Sequence, residues 1–212
     1  MSKKKTWVFT YSTMVTTSAL RDHVSTAILD AAALVLAAKG DTASMEDVAS
    51  AAGVGRATIY RYFPSRDDLL SALADVAIDD AHRRIKEADL ERATVPEGLA
   101  RIIRAVVACG IKFSVVTSDH SHVDRIRLDS LIRDPIRSVF QRGQDEGVMR
   151  TDVTTDILVE LFGGLTKVEL QIVDGDELGA EEASALIASI FLDGARPIGG
   201  APADADPLPS ST

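Results

Sequence analysis

Arg56, Thr58, Tyr60, Arg61 and Tyr62 crowd into one seven-residue stretch of this 212-residue chain, within residues 44–70 (SMEDVASAAGVGRATIYRYFPSRDDLL). A guanidinium can donate two hydrogen bonds to guanine O6 and N7. Threonine and tyrosine hydroxyls can bond phosphate oxygens. On one short helix, such groups predict contact with a DNA major groove. Other chemistries find less support. There is no glycine-rich phosphate loop, no GxSxG elbow and no Ser/His/Asp order with supporting context, so no catalytic site and no cofactor are expected. His120 and His122 stand two apart beside Asp119 and Asp124, but side chains at i and i+2 diverge on a helix. They read as a solvated loop rather than a metal site, and His23 and His82 read as isolated and exposed. Cys109, the single cysteine, reads as packing within an apolar helix and excludes an internal disulfide.

The elements that must position those groups are legible around them. Ser44 followed by Asp47 forms a capping-box pattern. Val48, Ala49 and Ala52 give one buried stripe, and Gly53 ends the helix in a left-handed cap. A second helix is predicted over 56–63, with Ile59 and either Tyr62 or Phe63 turned inward. Pro64 cannot continue it, and Ser65 caps the next helix, with Asp67 and Asp68 in its first turn. Ala49, Gly53 and Ile59 supply the small crossing residue, the turn glycine and the apolar plug that a helix-turn-helix needs. With Ile59 and Tyr62 as plugs, Arg56, Ala57, Tyr60 and Arg61 face outward.

This stretch resembles the N-terminal domain of the TetR family of bacterial transcriptional regulators. The matching residues run from Ile28-Leu29-Asp30-Ala31-Ala32, Val35-Leu36 and Lys39-Gly40 through Ser44, Val48-Ala49, Ala52-Gly53-Val54, Thr58-Ile59-Tyr60, Tyr62-Phe63 and Ser65-Arg66 to Leu69-Leu70. The likeness covers about residues 24–72. Gly55 stands where the family often has a capping serine, and Arg66 where a lysine is usual. The resemblance implies an all-α fold of about nine helices: an N-terminal three-helix DNA-binding domain and a C-terminal helical domain for effector binding and dimerisation. It implies DNA contacts from Ser44, Gly55, Arg56, Ala57, Thr58 and Tyr60, and from Arg61, Tyr62 and Arg66. It also implies a C-terminal cavity, mainly apolar, whose ligand alters the angle of the fourth helix. Val106, Cys109, Phe113, Leu128 and Ile132 are candidate lining residues, with Phe140, Phe162 and Leu165. Thr117, Thr166 and Glu169 are candidate polar anchors.

Charge is unevenly placed. Residues 1–66 carry 8 Lys and Arg against 5 Asp and Glu, a balance of +3; residues 67–212 carry 15 against 27, a balance of −12. The net charge of −9 therefore does not exclude a DNA partner, because the basic share lies at the DNA-reading end. No run of 18 apolar residues and no signal-peptide pattern is read, so no membrane partner and a cytoplasmic location are expected.

The predicted organisation is a flexible arm over 1–17, a DNA-binding domain over 18–66, an effector and dimerisation domain over 67–195 and a disordered tail over 196–212. Trp7, Phe9 and Tyr11 alternate like a strand without a partner. Helix one is predicted over 18–39, and a helix apolar nearly all round is predicted from Pro96 through Val116. A short helix over 125–133 should be followed by another that starts at Pro135. The last two helices carry more apolar face than one domain needs. Leu161, Leu165, Val168 and Ile172 on one, and Leu186, Ile190 and Phe191 on the other, suit a four-helix homodimer seam, with Gly163 and Gly164 allowing close approach. The expected function is a homodimeric regulator, a repressor, that binds a near-palindromic operator and is released by a small, mainly apolar effector. The alternative is an architectural DNA-binding protein without an effector.

Overall fold

The computed structural model describes the backbone of residues 6–110, 112, 113, 115, 123–174 and 179–198, and side chains from residue 22 onward apart from 169–174 and 180. Every regular element among the described residues is helical. The chain divides into two compact units: one runs to Asp80 and adds Cys109–Asp124, the other comprises Ala81–Ala108 and the residues from Arg125 onward. The division thus falls inside the fourth helix rather than at residue 66.

The first unit holds α1 (Thr6–Lys39), a 3-10 turn (Gly40–Thr42), α2 (Met45–Ala51), α3 (Arg56–Tyr62) and the start of α4 (Arg66–Glu87). Helix α1 begins at Thr6, not at residue 18, so the expected arm is helical from that point on, Trp7, Phe9 and Tyr11 included. Between Thr6 and Lys39 there is neither proline nor glycine, and an established helix propagates cheaply where nothing interrupts it. Residues 1–5 of that expected arm lie outside the described residues. Ile28, Ala32 and Ala33 from α1 are fully buried, and Val48, Ala49, Ile59, Phe63, Leu69 and Leu73 complete this core. Residues Asp22–Thr42 are long and apolar enough to cross a membrane by length and composition. Their buried flank and the exposed Asp30 and Lys39 are those of a core helix in a globular unit.

The second unit contains the end of α4, then α5 (Val95–Val107), α6 (Arg125–Leu128), α7 (Asp134–Asp145), α8 (Thr155–Asp174) and α9 (Ala180–Ala195). Thr94 and Glu97 form a reciprocal capping box at the start of α5. This helix is one-sided rather than apolar all round. Leu99, Ile102, Ile103 and Val106 are buried while Glu97 and Arg104 are exposed. It stops at Val107, since Gly110 takes a left-handed φ of 62° that a regular helix does not use. Cys109 and Phe113 consequently belong to the first unit. The expected break before Pro135 is absent too: a π-helical turn, Asp129–Arg133, joins α6 to α7 without interruption. The core closes on three rings, one each from α7, α8 and α9. Phe140 meets Phe162 edge-on at 5.5 Å and stacks on Phe191 at 5.3 Å, and Phe162 meets Phe191 at 5.1 Å.

Candidate nucleic-acid interface

The geometry of α2, its turn and α3 follows from local chemistry. The Ser44 hydroxyl accepts from the Asp47 N–H at 3.1 Å, and Asp47 Oδ2 accepts from the Ser44 N–H at 3.0 Å. At the other end, Gly53 has φ 66°, and its N–H reaches Ser50 O while that of Val54 reaches Ala49 O. That pair of bonds is a Schellman cap. It turns the chain sharply enough for α3 to start at Arg56. Gly55 is the N-cap of α3 and offers no side-chain oxygen, so the helix is started by backbone bonds alone, from the N–H groups of Thr58 and Ile59 to Gly55 O. Ser65 and Asp68 repeat the capping box at the head of α4.

Ile59 is 0% exposed and anchors α3, and the second anchor is Phe63 rather than Tyr62. Phe63 is the C-cap, with φ −131° and ψ 96°, so its side chain has left the helical spiral and swings into the core. Tyr62 is left half-exposed beneath the Arg61 guanidinium, 5.5 Å from its ring centroid. Arg56, Ala57, Tyr60 and Arg61 are all exposed, and Thr58 and Arg66 are half-exposed. The Arg56 guanidinium lies 5.8 Å from the Tyr60 ring centroid, a cation–π distance that pre-orders both side chains. The ion-pair partner of Arg56 is Glu46, ten residues earlier and not apparent from local spacing, whose exposed carboxylate is 3.2 Å away. Such a surface pair is worth about 0–1 kcal/mol, so Arg56 can leave Glu46 at little cost. Ser44, expected at DNA, has its hydroxyl committed to Asp47.

Asp47 is the electrostatic fastener of this site. The Lys39 ammonium, 2.6 Å away, and the Ser44 N–H and hydroxyl hold its carboxyl at about 2, below the usual 3.8. A carboxyl whose native pKa is depressed stabilises the fold fully above its unfolded value, and that contribution is lost as pH falls through the native value. The window here is about pH 4 to pH 2. Asp47→Asn is expected to flatten the acid side of a stability-versus-pH curve in that window and to leave its shape above pH 5 unchanged. Thermal melts at stepped pH measure this, and an unaltered acid limb in the variant refutes it.

The residues expected to line a cavity are divided. In the second unit Val106, Leu128, Ile132, Phe140 and Phe162 are buried as core. The Thr166 hydroxyl donates to Phe162 O within α8. Leu165 instead borders a shallow groove of about 260 Å³ between α8 and α9, with Leu158, Leu161, Ile190 and Phe191, and with Arg150 beside it. Thr117, His120 and His122 and the side chains of Glu169 and Ile172 lie outside the described residues. His82 is half-buried and hydrogen-bonded rather than isolated. Of the residues expected at a dimer seam, Leu161, Val168, Leu186 and Ile190 are exposed, whereas Phe191 is only 5% exposed because it completes the ring cluster. Ile157 joins the exposed set; it lies one turn before Leu161, which was the available signal.

The family model for bacterial regulatory proteins of the tetR family matches residues 28–73. The HTH-type transcriptional repressor LfrR of Mycolicibacterium smegmatis is 44% identical over 93 residues, 44% of this chain and 49% of LfrR, so that match spans about half of the relative's length. The HTH-type transcriptional regulator NfxB of Pseudomonas aeruginosa is 29% identical over 162 residues, 72% of this chain and 84% of NfxB. The crystal structure of the TetR-like regulator LfrR in complex with proflavine superposes with a TM-score of 0.62 at 28% identity, covering 81% of this chain and 96% of that one.

Proposed function

Because the chain belongs to the TetR family of bacterial regulatory proteins, we propose that it is a transcriptional repressor that binds a near-palindromic operator as a homodimer and is released by a small effector. The observation that carries this reading is α3. It is a seven-residue helix anchored by Ile59, with Arg56, Ala57, Tyr60 and Arg61 directed to solvent beyond a rigid, doubly capped α2. One such helix reads few base pairs, and two-fold symmetry doubles the contact. The exposed Ile157, Leu161, Val168, Leu186 and Ile190 of α8 and α9 supply a surface for that pairing. The groove that Leu161 and Ile190 share with Leu158, Leu165 and Phe191 is apolar and favours a small, mainly apolar effector. Proflavine, held by the related LfrR, is the first probe of it.

Selection of bound fragments from a random DNA pool tests the reading. A recovered near-palindrome supports it, and uniform recovery of all sequences favours the architectural alternative. On the selected operator, Arg56→Ala is expected to cost about 1–3 kcal/mol and to relax preference at one base pair in each half-site. Tyr60→Phe should weaken binding to all sequences alike, as loss of a phosphate contact does. Fluorescence anisotropy across single-base operator variants separates the two, and a sequence-independent loss for Arg56→Ala removes its base-reading role. Proflavine added to the preformed complex should lower operator affinity.

A further inference from the structure

Pro135 stands in the first turn of α7, within the continuous helical stretch that begins at Arg125 and ends at Asp145. Proline has no N–H, so it cannot give Leu131 O the bond that residue i+4 normally supplies. The backbone widens there into the π-helical turn Asp129–Arg133, a geometry frequent at functional positions. A group from a different helix meets the carbonyl: His82 Nδ1 of α4 lies 3.2 Å from Leu131 O. A carbonyl only accepts, so His82 donates through Nδ1–H, and the partner sets which ring nitrogen carries the proton. The place of His82 along α4 gives this bond its meaning. Arg66–Asp80 of that helix belong to the first unit and Ala81–Glu87 to the second. His82 is thus the second residue of α4 past the division.

We propose that His82 is a positioning residue for DNA binding. By holding the carbonyl that Pro135 leaves without its helical donor, it pins the distal end of α4 to the α6–α7 helix. Helix α4 is continuous from Arg66 to Glu87, and its first turns belong to the unit that carries α3, so loss of this anchor is read at the DNA-binding residues through one unbroken helix. This role rests on the reading of the chain as an operator-binding regulator.

The test is a double-mutant cycle in the full chain, read both as melting temperature and as affinity for the selected operator. His82→Leu removes the donor, and His82→Gln, which moves the amide one methylene outward, is a milder loss. His82→Asn keeps an N–H near the Nδ1 position. Pro135→Ala returns an N–H to the helix at the place where Leu131 O can accept it. His82→Leu is expected to lower the melting temperature by about 2–8 °C and to weaken operator binding about 3- to 30-fold. His82→Asn should keep most of both. In the Pro135→Ala background His82→Leu should cost little, since the carbonyl no longer depends on the imidazole. Equal losses in both backgrounds overturn the proposal, as does a lower melting temperature with operator affinity unchanged. A wild-type chain that selects no DNA sequence removes the regulator reading and the positioning role with it. The melting cycle decides separately whether His82 and Leu131 are energetically linked.

Discussion

Changing Leu161 and Ile190 together to aspartate is expected to give a folded monomer whose operator affinity has fallen about 10²- to 10⁴-fold. Both side chains are about half exposed within the protomer, at 56% and 51%, so the carboxylates cost the isolated chain little. In a two-fold seam the same four charges would be buried without partners, at several kcal/mol per ion. A stable dimer cannot absorb that cost. Without it the second recognition helix is no longer held at the high effective concentration that linkage provides, which accounts for the size of the loss. Light scattering coupled to size exclusion reports the assembly state, circular dichroism reports the fold, and an operator titration reports the function. A variant that still dimerises and binds as tightly as wild type would show that the seam lies elsewhere.

Phe140→Ala should have the largest effect on stability, about 3–5 kcal/mol. Phe140 is fully buried, touches two further rings and joins α7 to both α8 and α9. Its removal deletes the transfer free energy of a benzyl group and leaves a cavity walled by Phe162 and Phe191. Those walls are held by three helices and can close only in part. Set against a typical net stability of about 5–15 kcal/mol, this one change removes a large share. Denaturant unfolding measures it, and a loss below about 1 kcal/mol would mean that the three rings do not form the tight cluster described. The contrast with Leu161 is instructive. Both are large apolar residues on helices of one unit, yet one is expected to govern folding and the other assembly.

How readily each feature could be read from the sequence follows the range of the forces involved. Ser44 with Asp47 and Ser65 with Asp68 are contacts across three residues, and the Gly53 turn closes within five, so residue type and spacing specify them before any tertiary packing exists. Ile59 is equally plain, because it sits inside a helix whose phase is set at both ends. Phe63 is not, since the helical period no longer applies to a C-cap residue in extended geometry, and the pattern alone leaves Tyr62 and Phe63 equally open as the second plug. Pro135 reads locally as a helix start. The chain runs straight through it because the backbone widens into a π turn and a donor reaches Leu131 O from His82, 49 residues before that carbonyl in sequence.

The residues alone determined that this chain is helical, where the basic helix α3 begins, and that basic groups gather there while acid prevails elsewhere. Those properties depend on hydrogen bonds, caps and charges a few positions apart. Tertiary packing decided which of several equally apolar side chains became core and which remained as surface. Phe191 went inside and Ile190 stayed out, although they are neighbours on one helix. Hydrophobicity is a property of a residue, but burial depends on which other helices arrive to cover it, and no local pattern carries that information.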